Sequence, residues 1–372
     1  MPGLLDWLDR AAARRAEQGL TRQLVTHRPD DVVDLAGNDY LGLRRHPRVV
    51  AAAVAAAEQH GGGAGASRLV TGTLAIHDEL ERALGDLTGA GSALVLSTGY
   101  AANLSVLTTL TDRSTLVVSD AHNHASIVDG CRLARPGRVE VARHGDLDHV
   151  RALLRERSEE RAVVVVESLY SVLGDAADIP ALIELTAHHR AVLVVDEAHA
   201  IGVAGTHGEG LVAAAGGFAH DHVVVTGTLS KALASQGGFV AAHPAVREHL
   251  VNTARPFIYD TGLAPAAAGA ALGALDILRE EPTRPGALHA AAARLADALG
   301  IDAPRGAVMS VPMPGPDEAL AAVAEAGAQG LRIGCFRPPS TPDGSSRLRL
   351  TAHADLTEDQ LDRACDVLGG LR

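Results

Sequence analysis

The sequence is poor in cysteine, in aromatic residues and in positive charge. Its three cysteines, Cys131, Cys335 and Cys365, are far apart and show no CxxC spacing, which argues against a disulfide framework and a cysteine-based zinc site. Aromatic residues make up only 2%, so stacking platforms for single-stranded nucleic acid are not expected. With 33 basic and 45 acidic residues, the chain carries a formal charge of −12 and repels phosphate backbones in bulk. Nucleic-acid binding is therefore not expected.

We expect no secretion signal in the first ten residues, and the sequence has no long apolar run. Asp6 and Asp9 come before any apolar core could form in the first ten residues, which is unlike a signal peptide. The longest apolar stretches are alanine-rich helices or short strands, well short of the roughly 20 residues of a membrane span. We therefore expect a cytoplasmic protein that does not bind membranes.

What the sequence does contain is a repeated alternation of strand and helix patterns. The strand-like runs are short, β-branched and continuous, as in a sheet that is buried on both faces. They cover residues 93–96, 116–119, 163–166, 191–195 and 222–226. Helical stretches lie between them, at 101–110, 146–157 and 180–189. Such repeated units predict an α/β fold with a mainly parallel central sheet flanked by helices.

The 372 residues are enough for roughly two to three domains. A helix over residues 4–19 and a short arm predict an N-terminal segment at 1–46, followed by a large cofactor-binding α/β domain at 47–256. After about Pro256 the pattern changes and predicts a smaller α+β C-terminal domain at 257–372. Its predicted elements are helices at 264–279, 285–299, 316–329 and 358–368 and strands at 308–311, 331–334 and 347–351.

Two predicted strands end in residues that can carry chemistry. Asp196-Glu-Ala-His199 follows the run 191–195, and Thr226-Gly-Thr-Leu-Ser-Lys231 ends the next one. Ligands of open α/β sheets bind at the carboxyl ends of the strands. A lysine, an acid and hydroxyl groups together suit pyridoxal phosphate, which needs an amine for its aldehyde and an acid for its ring nitrogen. Its phosphate needs N–H groups at a helix N-terminus, which Ser97-Thr-Gly-Tyr100 supplies.

The stretch Thr228–Gly237 (TLSKALASQG) resembles the lysine signature of class II pyridoxal-phosphate aminotransferases and their relatives. Further motifs resemble those of the α-oxoamine synthases, in order and with few gaps: Asn38–Leu43 (NDYLGL), Ser67–Gly72 (SRLVTG), Asp196–His199 (DEAH) and Arg347–Thr351 (RLRLT). The resemblance runs from about Leu4 to the C-terminus, and an ordered set is more specific than one motif. It implies the fold of the fold-type-I pyridoxal-phosphate enzymes.

The resemblance implies a role for each residue that matches a family motif. Lys231 matches the Schiff-base lysine, which also removes the α-proton of the substrate. Asp196 matches the partner of the pyridine nitrogen, and His199 the donor to the ring oxygen. The remaining matches are His124, which stacks on the ring, Gly99, Tyr100 and Thr228, which hold the phosphate, and Ser171, a serine near the cofactor. Glu167 is interpreted as a structural acid at a strand end.

On the substrate side, Arg349 matches the arginine that holds the amino acid's carboxylate, a task suited to a bidentate guanidinium, and Asn38 assists it. Ser340 occupies a substrate-binding position where the family has threonine, so the hydroxyl is retained. The sequence departs from the family at Thr21, which aligns with a substrate-binding arginine. Arg22 beside it either takes over that role or is a solvated charge at a helix end.

The activity that the resemblance implies is the decarboxylative condensation of L-alanine with a pimeloyl thioester, carried by coenzyme A or a carrier protein, in a homodimer with its active sites at the interface. Two alternatives stay open: a synthase that uses glycine with another acyl-CoA, and a catalytically silent protein of the same fold that serves as a binding partner. No metal site is expected, because no HExxH motif accompanies the 18 histidines. Gly61–Gly65 lacks the P-loop lysine and is interpreted as a turn.

Overall fold

The structure is a computed structural model that describes residues 3–18, 20–22, 24–26, 32–338, 340–341 and 343–371. Its contacts divide the chain into two units, Met1–Val32 and Val33–Arg372, which are described separately. Among the described residues, no helix has both the length and the apolar character needed to cross a lipid bilayer.

The first unit contains helix α1, Leu4–Glu17. Asp6 lies in its first turn and accepts a hydrogen bond from the Gly3 backbone N–H (3.1 Å), and basic residues lie in its last turn, so the side-chain charges oppose the helix dipole at both ends. The apolar side chains of α1 are exposed. The predicted helix is confirmed up to Glu17, and its predicted end at Gly19 lies outside the described residues.

The second unit is built on strands and helices that alternate along most of its length. The strands are β1 (Val33–Asp34), β2 (Ser92–Leu96), β3 (Thr115–Asp120), β4 (Arg138–Ala142), β5 (Arg161–Glu167), β6 (Val192–Asp196), β7 (Val223–Thr228), β8 (Gly238–Ala242), β9 (Val308–Pro312), β10 (Leu331–Arg332), β11 (Gly334–Phe336) and β12 (Arg347–Thr351). The α-helices are α2 (Pro47–His60), α3 (Ala75–Thr88), α4 (Gly99–Leu110), α5 (Ala125–Ala134), α6 (Leu147–Arg155), α7 (Ile179–His188), α8 (Leu211–Ala214), α9 (Pro244–Thr253), α10 (Arg255–Ile258), α11 (Pro265–Glu280), α12 (Arg284–Leu299), α13 (Pro316–Ala328) and α14 (Glu358–Gly370). A π-helical turn covers Arg68–Gly72, and a 3₁₀ turn covers Gly217–Ala219.

The central sheet has seven strands in the order β2-β8-β7-β6-β5-β3-β4. All neighbouring pairs are parallel except those of β8, which runs antiparallel to β2 and β7. The strands β5, β6 and β7 are rich in valine and almost wholly buried, as expected for a sheet covered by helices on both faces. The prediction of a mainly parallel α/β sheet is confirmed.

Sequence patterns had not indicated β4 and β8. β4 lies at the sheet edge, and the charged residues Arg138 and Glu140 interrupt its apolar run. β8 follows β7 after the short connection 229–237, which is too short for a helical crossover, so the chain returns antiparallel. A Cβ atom at Gly238 would lie 2.3 Å from the Thr98 carbonyl oxygen. β8 therefore passes directly beside the start of α4 only because residue 238 is glycine.

A second, antiparallel sheet has the strand order β11-β12-β9 and lies in the C-terminal part of the chain with α13 and α14. The predicted strand 331–334 is confirmed at residues 331, 332 and 334, but it is not one strand. The chain changes its pairing partner at the buried residue Ile333: β10 pairs with β1, and β11 pairs with β12. The boundaries at residues 46 and 256 remain a prediction.

Candidate active site

An open cavity lies at the carboxyl ends of β5, β6 and β7, beside the first turns of α4 and α5. Its empty volume is about 610 Å³, including open solvent. This is the edge at which the sequence predicted a ligand site. The lining residues are Thr98, Gly99, Tyr100, Asn103, His124, Ser126, Glu167, Asp196, Ala198, His199, Thr228, Ser230 and Lys231.

Lys231 lies in the connection between β7 and β8 and points its amine at His199. The Nζ atom is 2.8 Å from His199 Nε2, and His199 Nδ1 is 2.6 Å from the Tyr40 hydroxyl. Burial and the nearby lysine hold the pKa of His199 well below its usual value, so the ring is neutral. Burial also lowers the pKa of Lys231, against the opposing effect of the Asp196 and Glu167 carboxyl groups. The amine is thus closer to its neutral, nucleophilic form than an exposed lysine would be.

Asp196, at the end of β6, is oriented by a buried hydrogen-bond network. Its Oδ1 accepts a hydrogen bond from the Ala198 backbone N–H (2.9 Å), and its Oδ2 accepts one from Asn103 Nδ2 (2.7 Å). Asn103 in turn accepts from the Thr226 hydroxyl (2.6 Å) and donates to Ser126 Oγ (2.9 Å). These donors stabilise a carboxylate and fix its direction, as a partner for a protonated ring nitrogen requires.

Glu167, at the end of β5, is the neighbour of Asp196 in the sheet ladder. Its Oε2 accepts a hydrogen bond from the Ser171 backbone N–H (3.1 Å), and its buried Oε1 has no hydrogen-bond partner within the described ranges. Burial and the neighbouring Asp196 carboxyl group raise the pKa of Glu167 to about 8.

His124 is the N-cap residue of α5 and faces the same cavity. Its Nδ1 atom is 2.8 Å from the Ser126 hydroxyl. Burial lowers the pKa of His124, although the Asp196 carboxylate opposes the shift. A neutral imidazole at this place can stack on a flat aromatic ring bound between it and the end of β6.

The first turn of α4 forms an anion cradle. Thr98 caps the helix, with Oγ1 accepting from the Ala101 backbone N–H (3.0 Å), and the next residue is Gly99. A Cβ atom at Gly99 would lie only 3.1 Å from Thr228 Cβ, so the glycine leaves the space beside Thr228 open. The Thr228 hydroxyl is 2.7 Å from Ser230 Oγ. Backbone N–H groups at a helix start, flanked by hydroxyl groups, fit a phosphate.

Arg349, on β12, is buried and held in one orientation. Its Nε donates to the Ser171 carbonyl oxygen (2.7 Å), its Nη2 donates to Asn38 Oδ1 (3.1 Å), and its guanidinium lies 5.4 Å from the centre of the Phe336 ring. Asn38 Oδ1 also accepts from the Tyr40 hydroxyl (3.1 Å). A continuous chain of hydrogen bonds therefore joins Arg349 to Lys231 through Asn38, Tyr40 and His199.

Most residues predicted from the sequence come together here, and a few do not. Ser171 contributes its backbone and is not among the lining residues. Ser340 is exposed, with its backbone N–H bonded to the Arg337 carbonyl oxygen (2.8 Å), and is also not among them. Arg22 belongs to the first unit, where its side chain is exposed. Asn38 and Arg349 are likewise not among the lining residues. The roles of all the predicted site residues, including those that line the cavity, remain predictions.

The sequence analysis assigned no role to Asn103 or Tyr40. Asn103 stands one helical turn after Gly99 on α4, and this spacing could have indicated it, because residues four apart lie on the same helix face. Tyr40 lies within the motif Asn38–Leu43, but no pattern shows that its hydroxyl reaches His199 across the fold. Within the described residues, no group of three or more His, Cys, Asp or Glu side chains could hold a metal ion.

Comparison with known proteins identifies the family of the chain. The family model for class I and II aminotransferases matches residues 30–368. A curated 8-amino-7-oxononanoate synthase from Mycobacterium sp. (strain KMS) is 52% identical over 367 residues, which are 98% of this chain and 96% of the relative.

Two solved structures show the same fold. A serine palmitoyltransferase from S. paucimobilis with bound pyridoxal phosphate and myriocin superimposes with a TM-score of 0.92 and 29% identity, covering 100% of this chain and 98% of the other. An 8-amino-7-oxononanoate synthase from Francisella tularensis superimposes with a TM-score of 0.76 and 23% identity, covering 92% and 98%. The chain therefore belongs to the class I and II aminotransferase family and, within it, to the family of the 8-amino-7-oxononanoate synthases.

Proposed function

We propose that the protein condenses L-alanine with a pimeloyl thioester to give 8-amino-7-oxononanoate, carbon dioxide and a free thiol, a reaction of biotin biosynthesis. The observation that carries the proposal is the buried lysine Lys231 at the same sheet edge as Asp196 and His199. The choice of alanine and a pimeloyl chain rests on the 52% identity to an 8-amino-7-oxononanoate synthase.

The residues of the cavity fit pyridoxal phosphate. The proposal assigns Lys231 to the aldehyde, Asp196 to the ring nitrogen and His199 to the ring oxygen, with His124 against the ring face. The start of α4 and the Thr228 hydroxyl are assigned to the phosphate, as the space at Gly99 permits. When bound, this cofactor acts as an electron sink that stabilises negative charge at the α-carbon of the amino acid.

The protein's own residues bind the substrate, orient it and move its α-proton. Lys231 Nζ takes the α-proton of alanine, which is favoured because burial lowers the pKa of this amine towards neutral pH. The Nε2 atom of the neutral His199 lies 2.8 Å from Lys231 Nζ, and this contact holds the amine in place. Arg349 binds the substrate carboxylate in a bidentate manner, since its guanidinium is already fixed by Ser171 and Asn38. These steps place the α-carbon for attack on the thioester carbonyl.

The proposal includes a homodimer, which the family resemblance implies. Apolar side chains exposed on α2 and on the π-helical turn offer a surface for it, namely Val50, Val54, Leu69 and Val70. A cytoplasmic location remains the prediction from the sequence.

A matrix of substrates tests the function. The purified holoenzyme is supplied with L-alanine, glycine or L-serine, each combined with pimeloyl, acetyl or succinyl thioesters of coenzyme A and of a carrier protein, and thiol and carbon dioxide release are measured. We expect turnover with alanine and a pimeloyl thioester. Turnover of glycine with acetyl- or succinyl-CoA, but not of alanine, would overturn the substrate assignment. A protein that fails to bind pyridoxal phosphate would instead support the silent binding protein.

A further inference from the structure

His144, in the loop between β4 and α6, bridges two carboxylates outside the cavity. Its Nδ1 is 2.8 Å from Asp120 Oδ1, and its Nε2 is 2.7 Å from Asp175 Oδ2. The two aspartates belong to different loops, one at the end of β3 and one beyond the end of β5. An imidazole can donate to both only when it is protonated, because the neutral ring has a single N–H.

On one side, His144 is connected through Asp120 to the loop that carries His124. Asp120 Oδ1 also accepts from the His122 backbone N–H (2.8 Å), and its Oδ2 accepts from the Gly145 backbone N–H (2.9 Å). The His122 ring is stacked on the His144 ring, with their centres 3.7 Å apart. His122 is only two residues before His124, so these contacts determine how the chain enters α5.

On the other side, His144 is connected through Asp175 to the loop that holds Arg349. Residues 168–177 form a tight turn in which the Tyr170 backbone N–H donates to the Asp175 carbonyl oxygen (2.9 Å), with a β-bridge between Leu169 and Ala176. The Tyr170 ring also contacts the His144 ring edge-on, at 4.4 Å between the centres. Ser171 lies in this turn, and its carbonyl oxygen accepts the hydrogen bond of Arg349 Nε.

We propose that His144 is a positioning residue whose imidazolium joins the loop of His124 to the loop of Ser171 and thereby fixes the orientation of the Arg349 guanidinium. This inference rests on the proposed function, because it assigns the substrate carboxylate to Arg349. His144 itself does not line the cavity, so it acts through Asp120 and Asp175 and not by touching the reacting atoms.

The charges around His144 keep it protonated at neutral pH. Partial burial disfavours the charge, but the hydrogen bonds to Asp120 and Asp175 outweigh burial and raise the pKa of His144 to about 9. The other groups that face the ring are His122 and Tyr170. Burial and the charged His144 lower the pKa of His122, and burial raises the pKa of Tyr170, so both are neutral there. Because the folded-state pKa exceeds the usual 6.5, the bridge is complete below about pH 7 and is lost as the pH rises through about 9.

Asp175→Ala tests the connection from His144 to the loop that holds Arg349. The Asp175 side chain is 44% exposed, so its removal leaves no buried cavity. The dissociation constant of L-alanine is read from the cofactor absorbance of the holoenzyme. We expect this dissociation constant to rise by about 2- to 30-fold, as for residues that act on a site through intervening contacts. The effect on the KM for L-alanine should be larger than the effect on kcat. Asp175→Glu should restore part of the affinity. Asp276→Ala, which removes an exposed carboxylate that pairs with Arg279, is the matched control.

His144→Gln tests the connections to both Asp120 and Asp175, because a neutral amide has donors on one side only. We expect the same loss of alanine affinity and, in addition, a changed cofactor absorbance that Asp175→Ala does not show. Alanine affinities of Asp175→Ala and His144→Gln equal to that of the Asp276→Ala control would overturn the proposal.

Amide hydrogen exchange separates this proposal from the proposed function, because it needs no substrate. In the wild-type protein, residues 168–177 should exchange slowly at pH 7 and lose protection above about pH 9, beyond the intrinsic rise of exchange with pH. In His144→Gln that extra loss should be absent, since protection is already reduced at pH 7. Wild-type protein that binds no alanine but shows this exchange pattern would refute the substrate assignment alone, whereas equal protection in both proteins would refute the role of His144.

Discussion

The orientation of the Arg349 guanidinium is the feature of the site that a conservative substitution tests best. The side chain is 4% exposed, and two acceptors, the Ser171 carbonyl oxygen and Asn38 Oδ1, fix the plane of the group. Arg349→Lys keeps the positive charge but replaces the planar fork by a point charge on a flexible stem. The substitution therefore separates the contribution of charge from that of geometry.

The expected loss of binding free energy for L-alanine corresponds to one of the two parallel hydrogen bonds between guanidinium and carboxylate. A hydrogen bond to a charged group contributes about 1.5–3 kcal/mol, so the dissociation constant of L-alanine should rise by about 10- to 150-fold. The affinity for the acyl thioester should stay unchanged, because its chain does not need the amino acid's carboxylate site.

Alanine binding is measured by titrating the holoenzyme and following the cofactor absorbance, and thioester affinity is measured from initial rates at saturating alanine. Arg347→Lys is the matched control: it makes the same chemical change two residues earlier on β12, where the arginine pairs with Asp343. An alanine affinity within twofold of wild type in Arg349→Lys would refute the bidentate assignment. An equal loss for Arg347→Lys would show that the effect is a general disturbance of the strand.

Three further substitutions test the other assigned roles. Lys231→Ala should abolish turnover, and borohydride reduction of wild-type holoenzyme followed by peptide mapping should place the pyridoxyl label on Lys231; a label on another lysine refutes the assignment. Asp196→Asn should weaken cofactor binding modestly but lower the rate of α-proton exchange of alanine by orders of magnitude, because the ring nitrogen loses its anionic partner; exchange at the wild-type rate contradicts this role. Arg22→Ala should weaken a dicarboxylic acyl thioester by about tenfold or more while leaving a plain fatty acyl thioester unaffected; equal effects on both chains would mean that Arg22 is a solvated charge.

The sequence was sufficient to predict the strands that are buried on both faces. Runs such as Ala191–Val195 contain only apolar residues, so their burial does not depend on which neighbours they find. β4 and β8 were not predicted, for opposite reasons. β4 is an edge strand in which charged residues interrupt the apolar run, and β8 is defined by a close approach to the start of α4 that only the folded chain reveals. Strand pairing is likewise invisible locally, which is why the split between β10 and β11 was missed.

The site was predictable where one residue performs one role at a strand end, as for Lys231, Asp196 and His199. It was not predictable where a residue acts through contacts across the fold. Asn103 meets Asp196, and Tyr40 meets His199, over separations of 93 and 159 residues, and neither side chain is unusual in its own segment. Such contacts depend on how α4 and the N-terminal arm pack against the sheet, which no local pattern encodes.

The adjacent carboxyl groups of Glu167 and Asp196 show why this difference matters for chemistry. In the sequence, the family resemblance alone separates the two acids: it assigns Asp196 to the ring nitrogen and leaves Glu167 as a structural acid at a strand end. In the structure, Asp196 has donors on both oxygens, Asn103 and the Ala198 N–H, whereas Glu167 has the Ser171 N–H on one oxygen and no partner within the described ranges on the other. Burial next to the Asp196 carboxyl group raises the pKa of Glu167, whereas both oxygens of Asp196 are held by hydrogen-bond donors, as an acid that faces a ring nitrogen requires. The resemblance implied the roles of the two acids, and the folded chain shows the difference in hydrogen-bond donors that separates them physically.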